Sequence, residues 1–317
     1  MQRKLDTKFN LSVVVAFKDQ YDDVRSSLES IFKQSIIPDQ VLLVDCGSTD
    51  GGINKLQSEF GSKVEVLRHC NASISEGRND SFRLISSNYV VFMQAGDLWE
   101  PHFVSELSQL YKQFDKPQLM ATQYQLYDSD DRYQDPKIRV MSQASRTLFK
   151  NYFSASNAGD VPLVLSSLCV SVELFAKGIP FEFSDEYNSL RLFLIKVALA
   201  APIAYSQKIM VFKKLVKSTI ALQELNDAKT GVPKFMVQAQ ALLDDANLDK
   251  GVRKALRKYL SLYLLKLADH KIDHGHCDQA KQLFGNVMVL KGIYFAKVWF
   301  KYFFRSLGSA RHKDLLY

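Results

Sequence analysis

The chain has 317 residues, 47% of them apolar, and a formal net charge of +7. That length supports a full core and one main domain with an accessory one, and the apolar content is that of a globular protein. No run reaches the roughly 18–20 apolar residues of a membrane-spanning helix, and the basic balance favours anionic partners (nucleotide, lipid surface or nucleic acid) without selecting one.

Ser12–Phe17 reads as a buried strand. Val24, Leu28, Ile31 and Phe32 then recur at helical spacing, so residues near 21–34 form a helix with one face on a sheet. Pro38 and Asp39 punctuate the turn into a second strand at Val41–Val44, and Gly47–Gly52 form a loop. Val64–Leu67 is a third strand. Ile74–Asn79 leads into a helix, and Tyr89–Met93 is a fourth strand, continuous and apolar as a central one should be. Strands alternating with helices in this way predict a mostly parallel sheet with right-handed crossovers.

Pro101–Phe114 is helical, and Ala121–Tyr127 a further strand. Residues 128–146 are polar and read as a surface loop. Val161–Val172 is apolar, Glu186–Ala201 helical and Ile203–Phe212 extended, which places a domain at 1–215. Helical periodicity in Leu222–Leu225, Phe235–Leu243, Val252–Leu267 and Ala280–Leu290 predicts a helical accessory domain at 216–317. It ends in a basic aromatic helix with Trp299, Phe300, Phe303 and Phe304 interleaved with Lys297, Lys301, Arg305, Arg311 and Lys313. Two readings stand: the aromatics pack into the bundle with the cations on the wet face, or the helix lies on an anionic membrane. His270, His274, His276 and Cys277 cluster, but they straddle a turn and lack a second metal-binding pair.

The four cysteines (Cys46, Cys70, Cys169 and Cys277) are widely and irregularly spaced, which predicts reduced thiols in a cytoplasmic protein. The start, MQRKLDTKFNLSVVVAF, runs into strand-like alternation rather than a cleavage site, so a signal peptide is not expected. The aromatic and basic residues form no recognised nucleic-acid fingerprint.

Three blocks carry a resemblance: SVVVAFKDQYDDVRSSLESIFKQS, VLLVDCGSTDG and EGRNDSFRLISSNYVVFMQAGDLWEP. Together they resemble the core of the inverting glycosyltransferase family 2, with its GT-A fold. The likeness covers residues 12–110 well and 164–212 weakly, and it does not cover the C-terminal third.

The resemblance implies an α/β GT-A sheet and transfer of a sugar from a nucleoside-diphosphate donor, UDP-linked above all. The acceptor would be a glycan, glycoprotein or lipid-linked molecule in surface polysaccharide or glycoconjugate synthesis. The protein would be cytoplasmic, with peripheral contact on the inner face of the membrane and a protein partner for the helical region as further possibilities. It also implies site residues. Asp45 would bind the base, and Gly47 and Ser48 would lie in the loop beside the nucleotide. Arg78 would pair with the diphosphate through its rigid fork, while Asn79 fixes its loop.

The chain departs from the family pattern in two places. Ala16, Phe17, Lys18 and Asp19 stand where Pro-Val-Tyr-Asn is usual, with Phe17 as an apolar wall for the base. Gln94, Ala95, Gly96 and Asp97 stand where Asp-Ala-Asp-Asp is common, so Asp97 alone keeps a carboxylate. It is either the ligand for a Mg2+ or Mn2+ ion or a cap before Trp99. The general base falls to Asp185 or Glu186, with the register between them open and a helix-start role as the alternative. A catalytically degenerate scaffold that binds a partner is the other reading of the altered metal motif.

Overall fold

The computed structural model describes residues 8–70, 72–139, 142, 144–149, 151–182, 185–215, 232–289 and 292–313, with backbone alone for 306–313. The chain divides into two compact units, Met1–Ala155 with Gly159–Val216, and Ser156–Ala158 with Lys217–Tyr317.

The first unit is built on one mixed sheet. Its strands are β1 (Leu11–Phe17), β2 (Gln40–Asp45), β3 (Glu65–Arg68), β4 (Tyr89–Met93), β5 (Leu98–Trp99), β6 (Leu119–Tyr127), β7 (Tyr133–Gln134), β8 (Arg146–Phe149), β9 (Leu168–Ser171) and β10 (Ile203–Lys214). Their order is β3-β2-β1-β4-β9-β6-β10-β5, with β7 paired to β6 and β8 to β10. Strands β3, β2, β1 and β4 pair in parallel, as do β6 and β10. Strand β9 is antiparallel to both β4 and β6, which leaves those two running in the same direction. The long strands therefore mostly run one way and deliver their C-terminal ends to one edge, where ligands of open α/β sheets bind. Every residue of β1, β2 and β4 is buried, which explains their unbroken apolar runs.

The helices of this part of the chain are α1 (Tyr21–Phe32), α2 (Gly52–Phe60), α3 (Ile74–Ser81), α4 (Phe103–Gln113), α5 (Tyr152–Ala158, whose last three residues fall in the second unit), α6 (Val172–Ala176) and α7 (Glu186–Ala200). Val24, Leu28 and Ile31 of α1 and Phe103, Leu107 and Leu110 of α4 join the central core, as their spacing predicts. The segment read as one polar loop, 128–146, instead contributes β7 and the first residue of β8. A turn held by Asp128, whose carboxylate accepts from the backbones of Asp130 and Arg132, folds β7 back onto β6.

In the second unit, α8 (Lys234–Ala241), α9 (Lys250–Asp273), α10 (Cys277–Gly285) and α11 (Ile293–Lys313) are described. The segment Leu222–Leu225 lies outside the described residues. Of the cations of α11 expected to face water, Lys297 and Arg305 are exposed, but Lys301 and Arg305 also tie the helix to α9. Lys301 pairs with Asp269 and Asp273 of α9, and Arg305 donates to the carbonyls of Ile272 and Asp273. Phe295 and Tyr302 pack on Phe284, whereas Trp299, Phe300, Phe303 and Phe304 are exposed. The rings of His270 and His274 lie tilted with centres 4.2 Å apart, and among the described residues no three His, Cys, Asp or Glu side chains converge on a point that would hold a metal.

Two structural devices can be tested. Glu106 of α4, 4% exposed, accepts two hydrogen bonds from Arg146, one from Ser206 and one from Lys208. Desolvation opposes its charge, yet these partners hold its carboxyl at about 2, below the ordinary 4.5. A depressed folded pKa contributes stability that is fully present above the unfolded value and fades as pH falls. Glu106→Gln should therefore cost about 2–3 kcal/mol at pH 7 in urea unfolding, a deficit that shrinks between about pH 4.5 and pH 2. Gly77 of α3 lies against β2, and a Cβ there would stand 2.6 Å from Cys46 Sγ and 3.0 Å from Val44 Cγ1. Gly77→Ala should lower stability by about 1–3 kcal/mol through overpacking, seen as a reduced thermal midpoint.

Candidate active site

The residues singled out from the sequence lie in the loops that follow β1, β2 and β4, in α3, and at the start of α7. Asp45 ends β2, is 6% exposed, and accepts a hydrogen bond from the Ser48 backbone at 2.8 Å. That bond closes a tight turn through Gly47, whose φ of +89° suits glycine. Asp19 ties the first loop to the second. Its backbone donates to Ser48 Oγ, and its Oδ1 accepts from the backbones of Thr49 (2.6 Å) and Asp50 (3.1 Å). The Thr49 amide above all holds the Asp19 carboxyl below its ordinary value. Asp19 thus braces the loop that carries Ser48.

Ala16 and Phe17 are different. Both are buried, and the Phe17 ring sits wholly within the core. The Phe17 ring, expected to wall a base site, packs instead within the hydrophobic core. Cys46, beside Asp45, is a buried space-filler whose thiol burial pushes up to about 11.

Helix α3 is set by its first turn. Ser73 and Glu76 form a reciprocal capping box, so the helix starts at Ile74 and Arg78 falls on its inner face. Arg78 is 1% exposed, and its Nη2 donates to Glu186 Oε1 at 2.6 Å. Its guanidinium lies 5.2 Å from the Phe181 ring centre. Asn79 clamps the Phe181 backbone from both sides, donating to its carbonyl and accepting from its amide. Among the described residues, Arg78 Nε and Nη1 have no hydrogen-bond acceptor. Buried donors left unpaired cost roughly 1–3 kcal/mol each, so Arg78 is held at an energetic cost that the described residues do not offset.

The two acidic candidates at the start of α7 separate cleanly. Asp185 caps the helix, its Oδ1 accepting from both the backbone and the side chain of Asn188 at 2.8 Å. These bonds give Asp185 the helix-start role named as its alternative. Glu186 remains partly open, with its side chain 36% exposed and its Oε1 accepting from Arg78 and, at 3.5 Å, from Gln94. Burial raises its carboxyl, but Arg78, Lys213 and Gln94 outweigh burial and leave it below the ordinary value. It is therefore ionised at neutral pH.

The loop after β4 holds the largest departure from expectation. Gln94 donates to Glu186 and accepts from Lys213 Nζ at 2.9 Å. Ala95 packs against the core. Gly96, at φ +91°, donates to Ser27 Oγ and to the Asp23 carbonyl, and accepts from the Tyr127 hydroxyl. Asp97 is 1% exposed and uses both oxygens internally. Oδ2 accepts from Ser166 Oγ at 2.6 Å and Oδ1 from the Lys214 backbone at 3.0 Å. Burial raises this carboxyl above its ordinary range, against the pull of Lys213 and Ser166.

A Mg2+ or Mn2+ ion wants a set of open oxygen ligands. Here the sole carboxylate of the motif is committed, the Gln94 oxygen faces an ammonium, and that ammonium lies 4.0 Å from Asp97. The residues present do not fit a divalent cation, and the expectation of Asp97 as its ligand is corrected on that chemistry.

Sequence reasoning missed Ser166, Lys213 and Lys214. The lysine pair has a visible signal, since it ends the apolar run of β10. Its placement depends on pairing with β5, which only the fold reveals. Ser166 carries no signal of its own.

The family model for "Glycosyl transferase family 2" matches residues 12–162. The chain is 30% identical over 89 residues to "Uncharacterized glycosyltransferase YibD" of Escherichia coli K12, a match covering 27% of this chain and 26% of that protein. It spans about half or less of the length of each curated relative it matches. Among solved structures, residues 1–349 of Staphylococcus aureus TarS in complex with UDP-GlcNAc align with a TM-score of 0.66 at 13% identity, over 88% of this chain and 82% of that one. A Pyrobaculum calidifontis mannosyltransferase in complex with GDP-Man and Mn2+ aligns with a TM-score of 0.57 at 14% identity, over 98% of this chain and 88% of that one. Residues 12–162 thus match the model of glycosyl transferase family 2, and the chain shares the mixed, mostly parallel fold of these solved transferases.

Proposed function

We propose that this chain transfers a sugar, with inversion, from a nucleoside-diphosphate donor to a hydroxyl of a glycan, glycoprotein or lipid-linked acceptor. The observation that carries this reading is Arg78, a fully buried guanidinium with two unpaired donors beside an ionised carboxylate. A diphosphate supplies the acceptors this fork lacks. The strand-end loop of Asp45, Gly47 and Ser48, braced by Asp19, offers a carboxylate and backbone groups for a base and ribose. UDP is the favoured nucleotide, by likeness to the TarS complex.

Inverting transfer needs a base to take the acceptor proton as the hydroxyl attacks the anomeric carbon. Glu186 fills that role. Its Oε1 is held by Arg78 and Gln94, and Oε2 accepts no hydrogen bond from the described residues. Arg78 then stabilises charge developing on the leaving diphosphate. The unpaired fork also weighs against a degenerate scaffold, which would have no use for buried donors without a ligand.

A panel of nucleotide sugars, scored by donor hydrolysis and thermal shift, should yield at least one that turns over. Glu186→Gln should lower kcat by about 10^2–10^4-fold while UDP binding, read by calorimetry, stays within a few-fold. No nucleotide binding by the wild-type chain would end the transferase reading.

We also propose peripheral contact with the inner face of a membrane, supported by the exposed Trp299, Phe300, Phe303 and Phe304 of α11. Among the described residues no helix is long and apolar enough to cross a membrane. Phe300→Glu with Phe304→Glu should lower sedimentation with anionic vesicles several-fold and leave donor hydrolysis unchanged. Equal sedimentation of variant and wild type would remove this role.

A further inference from the structure

The strand register around Gln94–Asp97 places two lysines where the family's motif would place carboxylates and a cation. β5 pairs antiparallel with β10, Leu98 opposite Phe212 and Trp99 opposite Val211. Continuing that register one residue each way sets Lys213 against Asp97 and Lys214 against Gly96. The side chains confirm it. Lys213 Nζ stands 2.9 Å from Gln94 Oε1 and 4.0 Å from Asp97 Oδ2, and Lys214 donates its backbone N–H to Asp97 Oδ1.

Gly96 shows that the exchange extends to shape. A Cβ on Gly96 would lie 2.8 Å from Lys214 Cδ and 3.3 Å from Asp23 Cγ. The aliphatic stem of Lys214 therefore fills the volume a carboxylate at position 96 would need, and its Nζ pairs with Asp23. A larger residue could return at 96 only if Lys214 withdrew. Lys213 is the less committed of the two, since its contact with Asp97 is long and Gln94 is neutral. Its ammonium has three donors, of which one is used by Gln94.

We propose that Lys213 is a donor-binding residue that takes the place of a divalent cation, contacting the diphosphate together with Arg78, so that this protein works without metal. The inference rests on the nucleotide-sugar reading above. Lys214 is a positioning residue, filling the Gly96 site and tying β10 to α1 through Asp23.

The test uses the full chain with UDP and GDP as probes. Binding is followed by calorimetry in excess EDTA and again in millimolar Mn2+, alongside hydrolysis of whichever nucleotide sugar the panel identifies. The expected result is equal affinity and rate, within about twofold, under the two conditions. Lys213→Met should weaken diphosphate binding at least tenfold in EDTA, with Lys213→Arg retaining most of it and both variants unfolding at wild-type temperature. If Lys213→Met loses stability, the Arg variant and the wild-type metal comparison still decide the matter. Binding or turnover that needs Mn2+ would overturn the lysine substitution and leave the transferase standing. Binding of neither nucleotide under either condition would overturn both.

Discussion

The ion pair between Arg78 and Glu186 is the constraint around which the site is arranged. It joins α3, which follows the parallel strands, to α7, 108 residues later in the chain. Taking a guanidinium to 1% exposure is costly, and a single carboxylate does not satisfy its five N–H donors. A protein built for stability alone would do better with an apolar pair at this place. The Phe181 ring beneath the guanidinium and the Asn79 clamp on Phe181 hold the fork in position, so its two open donors are preorganised. Preorganised donors cost no rearrangement when a charge arrives, which is why they are effective where a leaving group gains negative charge.

From that pair a chain of contacts runs through the loop after β4. Glu186 meets Gln94, Gln94 meets Lys213, and Lys213 faces Asp97, which Ser166 and the Lys214 backbone hold in place. The members come from α7, the loop after β4, β10 and the segment before β9, so the network also fixes how β10 and α7 meet the end of β4. Asp97 illustrates the double duty. Its carboxylate sits where a ligand-binding group is expected, yet its two oxygens organise β10 and the turn before β9.

The parallel half of the sheet was legible because its strands are buried on both faces, so that Val13–Val15, Leu42–Val44 and Tyr89–Met93 read as unbroken apolar runs. Arg78 and Glu186 were legible only as members of a resembling pattern, since nothing in their local spacing says they touch. Asp185 and Glu186 could not be told apart by sequence, because both are acidic and both suit a helix start; in the structure Asp185 caps the helix and Glu186 pairs with Arg78. The role of Lys213 and Lys214 was hidden for another reason. Strand pairing between β5 and β10 is non-local, and a one-residue change of register would send both lysines to the opposite faces.

The altered metal motif gains a physical sense from charge. The usual Asp-Ala-Asp-Asp sequence assembles carboxylates whose mutual repulsion is relieved by a divalent cation. Here the exchanges to Gln94 and Gly96 remove two negative charges, and with them the reason for a cation of charge two. Removing both together leaves the local balance as it was, and Lys213 then adds one positive charge beside Gln94 and Asp97. A lysine added without the loss of those carboxylates would be neutralised by them and could offer little to a ligand. The exchanged positions and the two lysines lie in segments that meet only when β10 pairs with β5, with Lys213 reaching Gln94 and Lys214 filling the space beside Gly96.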